Sequence, residues 1–362
     1  MIRLTIPDTG DAEIEAVTRV LRDGFLVQGA RVREFEERVA AYLGVPHAVA
    51  VSSGTAALHL AVLALGLGPG DEVLVPDFTH PATGNVVELA GARPVLVDVD
   101  LQTFNSGAGH FRAALTPRTR ALLPVHLFGQ PAEMGPILEL ARERGLKVVE
   151  DAACALGAEE QGRKCGTLSD AGCFSFHPRK VITTGEGGMV VTRDEATAER
   201  VRQLRNHGCV EAGDSRRFER AGFNYRLTEL QGALGVAQME RLEPAIRRRA
   251  ELADRYDKAL AGVKDVRRPV RRDGTRPVWQ SYVVLLQERI DRDRVRLRLR
   301  EDGIETTLGT YSLSAQPRHS PPAAPLANSR RAFRQSLALP LHPRMSDRDV
   351  DQVAARLAAA VS

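Results

Sequence analysis

From about residue 47 the chain alternates short β-branched runs with helix-length segments, and this rhythm constrains the fold more than any other feature of the sequence. VAV at 49–51, EVLVP at 72–76, PVLVDV at 94–99, ALLPVH at 121–126 and KVVED at 147–151 read as strands. The clearest helix between them is PAEMGPILELARERG, where Met134, Ile137, Leu138 and Ala141 recur at helical spacing and Gly145 supplies the stop. The pattern predicts an α/β domain with a mostly parallel central sheet flanked by helices. After Asp151 the rhythm changes to CFSFH at 173–177 and GGMVVT at 187–192, followed by a charged helix over 195–205. A long helical stretch runs from about 227 to 261, with Pro244 expected as a kink or boundary.

At 362 residues the chain exceeds one ordinary core. The change of pattern divides it into a large domain over residues 1–240 and a smaller C-terminal α+β domain over 241–362, with the N-terminal segment free to pack on the smaller one. In that second domain 267–274 reads as a loop, WQSYVVLL from 279 as a strand, and the end from Ser346 as a helix. RVRLRLR at 294–300 alternates like an edge strand, but the acids before it and Glu301, Asp302 and Gly303 after it fit helix termini better.

Composition excludes several classes. With 43% hydrophobic and 27% charged residues and no internal repeat, the chain is neither disordered nor fibrous. The opening IRLTIPDTGDAEIEAV has no apolar leader core, and the longest apolar run, 56–67, is interrupted by His59 and Gly66 and too short to span a bilayer. Cys154, Cys165, Cys173 and Cys209 show neither a disulfide framework nor a metal-ligand spacing. Reduced thiols, a cytoplasmic protein, no metal and no membrane partner are the expectation. A formal charge of +4 requires no polyanionic partner. Residues 247–300 nevertheless hold 17 basic against 8 acidic side chains. Interleaved acids and sparse aromatics argue against nucleic acid there, leaving a solvated face or a nearby anionic substrate.

Three features carry chemistry. Ser52, Ser53, Gly54 and Thr55 follow the first strand and open a helix, so free backbone N–H groups, the helix dipole and hydroxyls converge on one point. This is either an anion site or a simple N-cap on a buried helix. It is not a dinucleotide fingerprint, because G-x-G-x-x-G is absent, and there is no P-loop. Asp151 ends the KVVED strand, where open α/β sheets bind ligands, while Glu150 alternates to the opposite face. Asp151 serves either a ligand or as the cap of a following helix. Lys180 is one of only five lysines, and it alone lies in an apolar stretch, among Phe174, Phe176, Val181 and Ile182. Desolvation there, with Arg179 adjacent, would favour the free amine that a Schiff base needs. A phosphate site, a sheet-edge carboxylate and such a lysine together form the constellation for pyridoxal 5′-phosphate (PLP), in which the carboxylate keeps the pyridine nitrogen protonated.

SSGTAALHLA, VPDFTHPATGN, PVHLFGQPAEM, EDAACALGA, GCFSFHPRKVITTGEGG, LRNHG and GFNYRLTELQGALG together resemble the DegT/StrS family of PLP-dependent sugar aminotransferases, over about residues 7–350. The resemblance implies fold type I and an enzyme that moves an amino group from an amino acid, L-glutamate by expectation, to a nucleotide-linked keto sugar. By position Lys180 matches the lysine that binds the cofactor and shuttles protons, and Asp151 matches the partner of the pyridine nitrogen. Gly54, Thr55 and Ser175 match the phosphate site. Asn224 matches a residue that reaches the phosphate in the neighbouring subunit, implying a homodimer with shared active sites. His80 stands where an aromatic residue usually stacks on the cofactor ring, although it also reads as a helix-start surface histidine. Cys154 stands where Gln or His often bonds the cofactor's phenolic oxygen, and Ser314 where the family often has His. Two alternatives accompany this reading. One is a sugar dehydratase, a branch with His in place of the lysine, against which Lys180 argues. The other is a non-catalytic regulator binding a partner or DNA through the basic second domain.

Overall fold

The structure, a computed structural model, describes residues 1–212, 215–317 and 325–362. Its main sheet has seven strands in the order β1 (His47–Val51), β10 (Gly188–Thr192), β9 (Ala171–Ser175), β6 (Lys147–Asp151), β5 (Thr119–Leu122), β2 (Glu72–Pro76) and β4 (Arg93–Val97). Only β10 runs against its neighbours; the remaining pairs are parallel.

Successive side chains of a strand point to opposite faces, and the cores follow that period of two. Val49, Val51, Val73, Val75, Val149 and Val190 meet α3 (Gly54–Ala64), α4 (Pro81–Leu89) and α7 (Glu195–Arg205). On the other face Ala48, Ala50, Phe174 and Met189 meet α2 (Ala30–Leu43) and α8 (Glu229–Ala259), while Leu74, Leu122 and Val148 meet α5 (Ala108–Ala113) and α6 (Met134–Arg144). Among the described residues no helix is long and apolar enough to cross a membrane.

Smaller sheets surround this frame. β7 (Glu159–Glu160) and β8 (Arg163–Lys164) pair with β14 (Thr275–Arg276), and β11 (Cys209–Ala212) pairs with β12 (Ser215–Phe218). The antiparallel sheet β13 (Val266–Arg267), β15 (Tyr282–Leu286), β18 (Ser336–Leu339) and β16 (Thr307–Leu308) is backed by α9 (Arg292–Glu301), α11 (Asp347–Val361) and the last turns of α8 around Tyr256, Tyr282, Leu299 and Leu357. A final pair, β3 (Phe78–Thr79) with β17 (Tyr311–Ser312), joins the two parts beside α10 (Ala327–Gln335). The N-terminus lies on the smaller sheet's side, where the Ile2 N–H donates to the Gly303 carbonyl at 2.7 Å.

The helices over 134–144 and 195–205, the strand over 147–151 and the helix from Ser346 form where the sequence spacing predicts them. RVRLRLR lies wholly within α9. The run at 121–126 is shorter than expected and ends as a strand at Leu122. Pro124 has no N–H to continue the ladder, yet its carbonyl accepts from the Asp151 N–H at 2.9 Å and keeps the strand ends aligned. The PVLVDV strand likewise stops at Val97. Pro244 neither breaks nor bounds its helix, for α8 runs unbroken through it and through residue 240. A proline inside a helix costs ~3 kcal/mol or more. Leu242, Ala245 and Ile246 in the large core, and Leu252, Ala253 and Tyr256 in the small one, bury enough of α8 to offset that cost.

α1 (Asp11–Asp23) is tied to α8 by one buried carboxylate. Glu13 accepts from the Gly10 N–H at 2.7 Å, Gln238 Nε2 at 2.9 Å and Arg241 Nε at 2.7 Å. Burial works against its charge, but these donors outweigh burial and hold Glu13 below the ordinary 4.5. Its contribution is therefore complete above that value and disappears as the pH falls through the lower folded-state value. Glu13→Gln should lower stability at pH 7 by about 1–3 kcal/mol in urea unfolding, and the gap from wild type should narrow on acidification below 4.5.

Candidate active site

A cleft of about 580 Å³ opens at the carboxyl ends of the parallel strands and is closed on its other side by residues around Gln280, Thr310 and Leu339. Its floor begins at α3. Ser53 is the N-cap, its Oγ accepting from the Ala56 N–H at 3.0 Å. The N–H groups of Gly54 and Thr55 precede any i−4 carbonyl of the helix, and both residues line the cleft. The N-cap reading of this turn is observed, with Ser53 capping the helix, and the next two residues face the cleft where the anion-site reading would need them. Ser175, at the end of β9, lies so close that a Cβ on Gly54 would sit 2.7 Å from its Cβ and 3.1 Å from its Oγ. Only glycine fits there.

Asp151 is buried at the end of β6 and lines the cleft. Its Oδ2 accepts from Thr83 Oγ1 at 2.8 Å and its Oδ1 from the Ala153 N–H at 3.2 Å. No helix follows it, so the capping alternative falls away. Glu150 faces the opposite side, as its position in the strand predicts. There it accepts from His126 Nε2 at 2.9 Å, from the Gly166 and Leu168 N–H groups at 2.7 Å each, and from Ser169 Oγ at 3.0 Å.

Lys180 Nζ reaches into the same cleft, 3.1 Å from Cys154 Sγ. Its surroundings correct the sequence expectation. Phe174, Phe176, Val181 and Ile182 lie in the core beneath rather than around the amine, and Lys180 is half-buried. Among the described residues it is the one lysine that lines the cleft, and it has no acid partner. Lys147 and Lys164 pair with Asp170 and Glu159 at 3.0 and 2.7 Å, whereas Lys180 has no ion pair among the described residues.

His80 is the N-cap of α4, its Nδ1 accepting from the Ala82 N–H at 3.2 Å, and its exposed ring also lines the cleft. Although the residue is open to solvent on one side, desolvation by the cleft walls first, then the Lys180 charge, keeps the ring below its ordinary pKa against the pull of Asp151. The neutral ring suits the acceptor role of Nδ1. Asn224 is exposed and lies outside this chain's cleft, with its Oδ1 accepting from Arg226 Nε at 3.0 Å. None of the arginines of the basic run 247–300 lines the cleft; Arg248, Arg255, Arg271 and Arg276, for example, pair with acids elsewhere. Among the described residues no group of His, Cys, Asp and Glu is arranged to hold a metal ion.

Two contributors were not legible from the sequence reading. Thr83 orients Asp151 and in turn lies 2.9 Å from Thr79 Oγ1. Asp77, fully buried, accepts from Ser312 Oγ and the Ser314 N–H at 2.6 Å each, fastening the segment around Ser314 to the lip of the cleft three residues before His80. A carboxylate directly after the EVLVP strand was a signal equivalent to Asp151 after KVVED.

Residues 7–358 match the model of the DegT/DnrJ/EryC1/StrS aminotransferase family. The chain belongs to that family. It is 43% identical over 339 residues to GDP-perosamine synthase of Caulobacter vibrioides, covering 91% of this chain and 90% of the relative. The crystal structure of the aminotransferase TlmJ from Streptoalloteichus hindustanus superposes with a TM-score of 0.95 at 37% identity, covering 99% of this chain and 98% of that one. The PLP-form of the putative sugar aminotransferase Spr1654 from Streptococcus pneumoniae superposes with a TM-score of 0.93 at 26% identity, covering 99% and 98%. The chain is thus a fold type I, PLP-dependent aminotransferase.

The residues of the cleft fit that cofactor. Two free N–H groups and the hydroxyls of Thr55 and Ser175 suit a phosphate, a buried carboxylate suits a protonated pyridine nitrogen, and an amine without an acid partner suits an aldehyde. Gly54→Ala should push the α3 turn away from Ser175 and weaken PLP binding by about 10-fold or more, read by titrating the apo protein with PLP and following visible absorbance.

Proposed function

We propose that this aminotransferase moves an amino group from L-glutamate to a keto sugar linked to a nucleotide. The observation that carries the reading is the convergence of Lys180 Nζ, the Asp151 carboxylate and the first turn of α3 on one cleft. The name of the Caulobacter relative, a synthase of a GDP-linked amino sugar, supports the acceptor class.

Bound PLP supplies an aldehyde for the exchanged amino group and a conjugated ring that accepts electrons. The chain supplies position and protons. Gly54, Thr55 and Ser175 hold the phosphate. Asp151, steadied by the Thr83 hydroxyl and the Ala153 N–H, would present its carboxylate to the ring nitrogen. His80, held at the α4 cap, would cover the ring, and Cys154 Sγ lies 3.1 Å from Lys180 Nζ. Lys180 Nζ would take the proton from the donor carbon as a base and hold it for return as an acid, the two roles of a single positioned amine.

Asn224 is read as completing the phosphate site of a second copy in a homodimer. Its exposure outside its own cleft supports this, as do the exposed Phe25, Leu26 and Val27 beside it. The Val27–Thr228 bridge ties that apolar run to the segment carrying Asn224. The four free cysteines support a reducing, cytoplasmic setting.

Visible spectra of the PLP-loaded protein test the chemistry. L-glutamate should bleach the wild-type band, and Lys180→Ala should give an altered band that L-glutamate leaves unchanged; bleaching of the variant at the wild-type rate would remove Lys180 from the reaction. The shared site has its own test. Lys180→Ala and Asn224→Ala proteins, each weakened alone, should regain turnover when mixed and allowed to exchange subunits, because one site per mixed dimer is complete.

A further inference from the structure

We propose that Arg179 is the docking point for the diphosphate of the nucleotide-linked acceptor, at the mouth of the cleft. This inference rests on the aminotransferase reading above and adds the residue that recognises the acceptor's charged half. Among the described residues the only lysine and arginine side chains lining the cleft are Lys180 and Arg179, with His80 and His177 as neighbours. Lys180 and Asp151 are committed to the cofactor. Glu186 lies 4.0 Å from His177 Nε2 and is directed to that ring. The guanidinium of Arg179 is exposed and has no hydrogen bond or ion pair among the described residues. Arg248, Arg255, Arg271 and Arg276 each pair with an acid away from the cleft, whereas the guanidinium that lines the cleft does not.

The backbone of Arg179 is nevertheless fixed on both sides. Its N–H donates to His177 Nδ1 at 3.2 Å, and its carbonyl accepts from Gln280 Nε2 at 2.9 Å, a side chain from the opposite wall. A pinned backbone and a free planar fork of donors suit bidentate recognition of an oxyanion. The position suits the diphosphate in particular. The acceptor's reacting carbon belongs beside Lys180 Nζ, and its diphosphate, one sugar ring away, then falls toward solvent, where the adjacent Arg179 extends. The phosphate of PLP is already provided for by Gly54, Thr55 and Ser175, and the basic run at 247–300 contributes no residue to this cleft.

The test uses PLP-loaded wild type, Arg179→Gln and Arg179→Lys, with GDP, UDP, dTDP, guanosine and inorganic pyrophosphate as probes in calorimetric titrations. Arg179→Gln should weaken the nucleoside diphosphates and pyrophosphate about 10-fold or more, leave guanosine unchanged, and be partly rescued by lysine. PLP affinity and the rate of bleaching by L-glutamate should stay within about twofold of wild type. Unchanged diphosphate binding overturns the proposal, as does wild type that binds none of these probes. A loss confined to L-glutamate or to PLP also overturns it, by assigning the guanidinium to the donor carboxylate or the cofactor phosphate. Failure of L-glutamate and every other amino donor to bleach wild type would count against the aminotransferase chemistry instead, and the diphosphate titrations would still report on Arg179.

Discussion

The first turn of α3 lies against the ends of β9 and β10 at a separation that only glycine permits. A Cβ on Gly54 would meet Ser175 at 2.7 Å, and a Cβ on Gly188 would lie 2.2 Å from the Ser53 carbonyl oxygen. This close approach brings the positive end of a helix, the Ser175 hydroxyl and the adjoining Lys180 loop into one space. With a wider gap the first turn of α3 and the Ser175 hydroxyl would stand apart from the amine. The rest of the cleft is arranged around that contact.

The second organising constraint is the strict alternation of β6. Two neighbouring carboxylates, Glu150 and Asp151, end up on opposite faces with opposite tasks. Glu150 is consumed by structure, accepting from donors of the 166–169 turn and from His126. Asp151 has fewer partners, Thr83 and Ala153, and retains a face toward the cleft. A buried carboxylate that is incompletely satisfied by its own chain is suited to holding a ligand's proton.

The smaller sheet does more than add mass. β17 pairs with β3, Asp77 fastens Ser312 and Ser314, and Gln280 meets the Arg179 carbonyl, so the second wall is attached at both sides of the cleft. Together with α8, which passes through both cores without a break at Pro244, these ties make the two walls one structure. The Lys180 amine, the His80 ring and Arg179, all lining the cleft, thereby keep fixed relative positions, which is what orientation-dependent chemistry needs.

The sequence by itself determined the α/β rhythm, most strand and helix positions, the alternation that separates Asp151 from Glu150, and the cluster of motifs that carries the family resemblance. These are local properties: periodicity, turn residues and spacing act within a few residues, and a strand's parity is fixed whatever it packs against. Tertiary structure alone decided which side chains meet. Lys180 lies beside Cys154, 26 residues away in the chain, and not in the apolar cage its neighbours suggested. Asp77 meets a segment 235 residues later, and Arg179 at the cleft is left unpaired while Arg248, Arg255 and Arg271 of the conspicuous 247–300 run find acids. Such pairings depend on distances across the fold that no local pattern encodes, so the charge a sequence displays most openly was not the charge that faces the cleft.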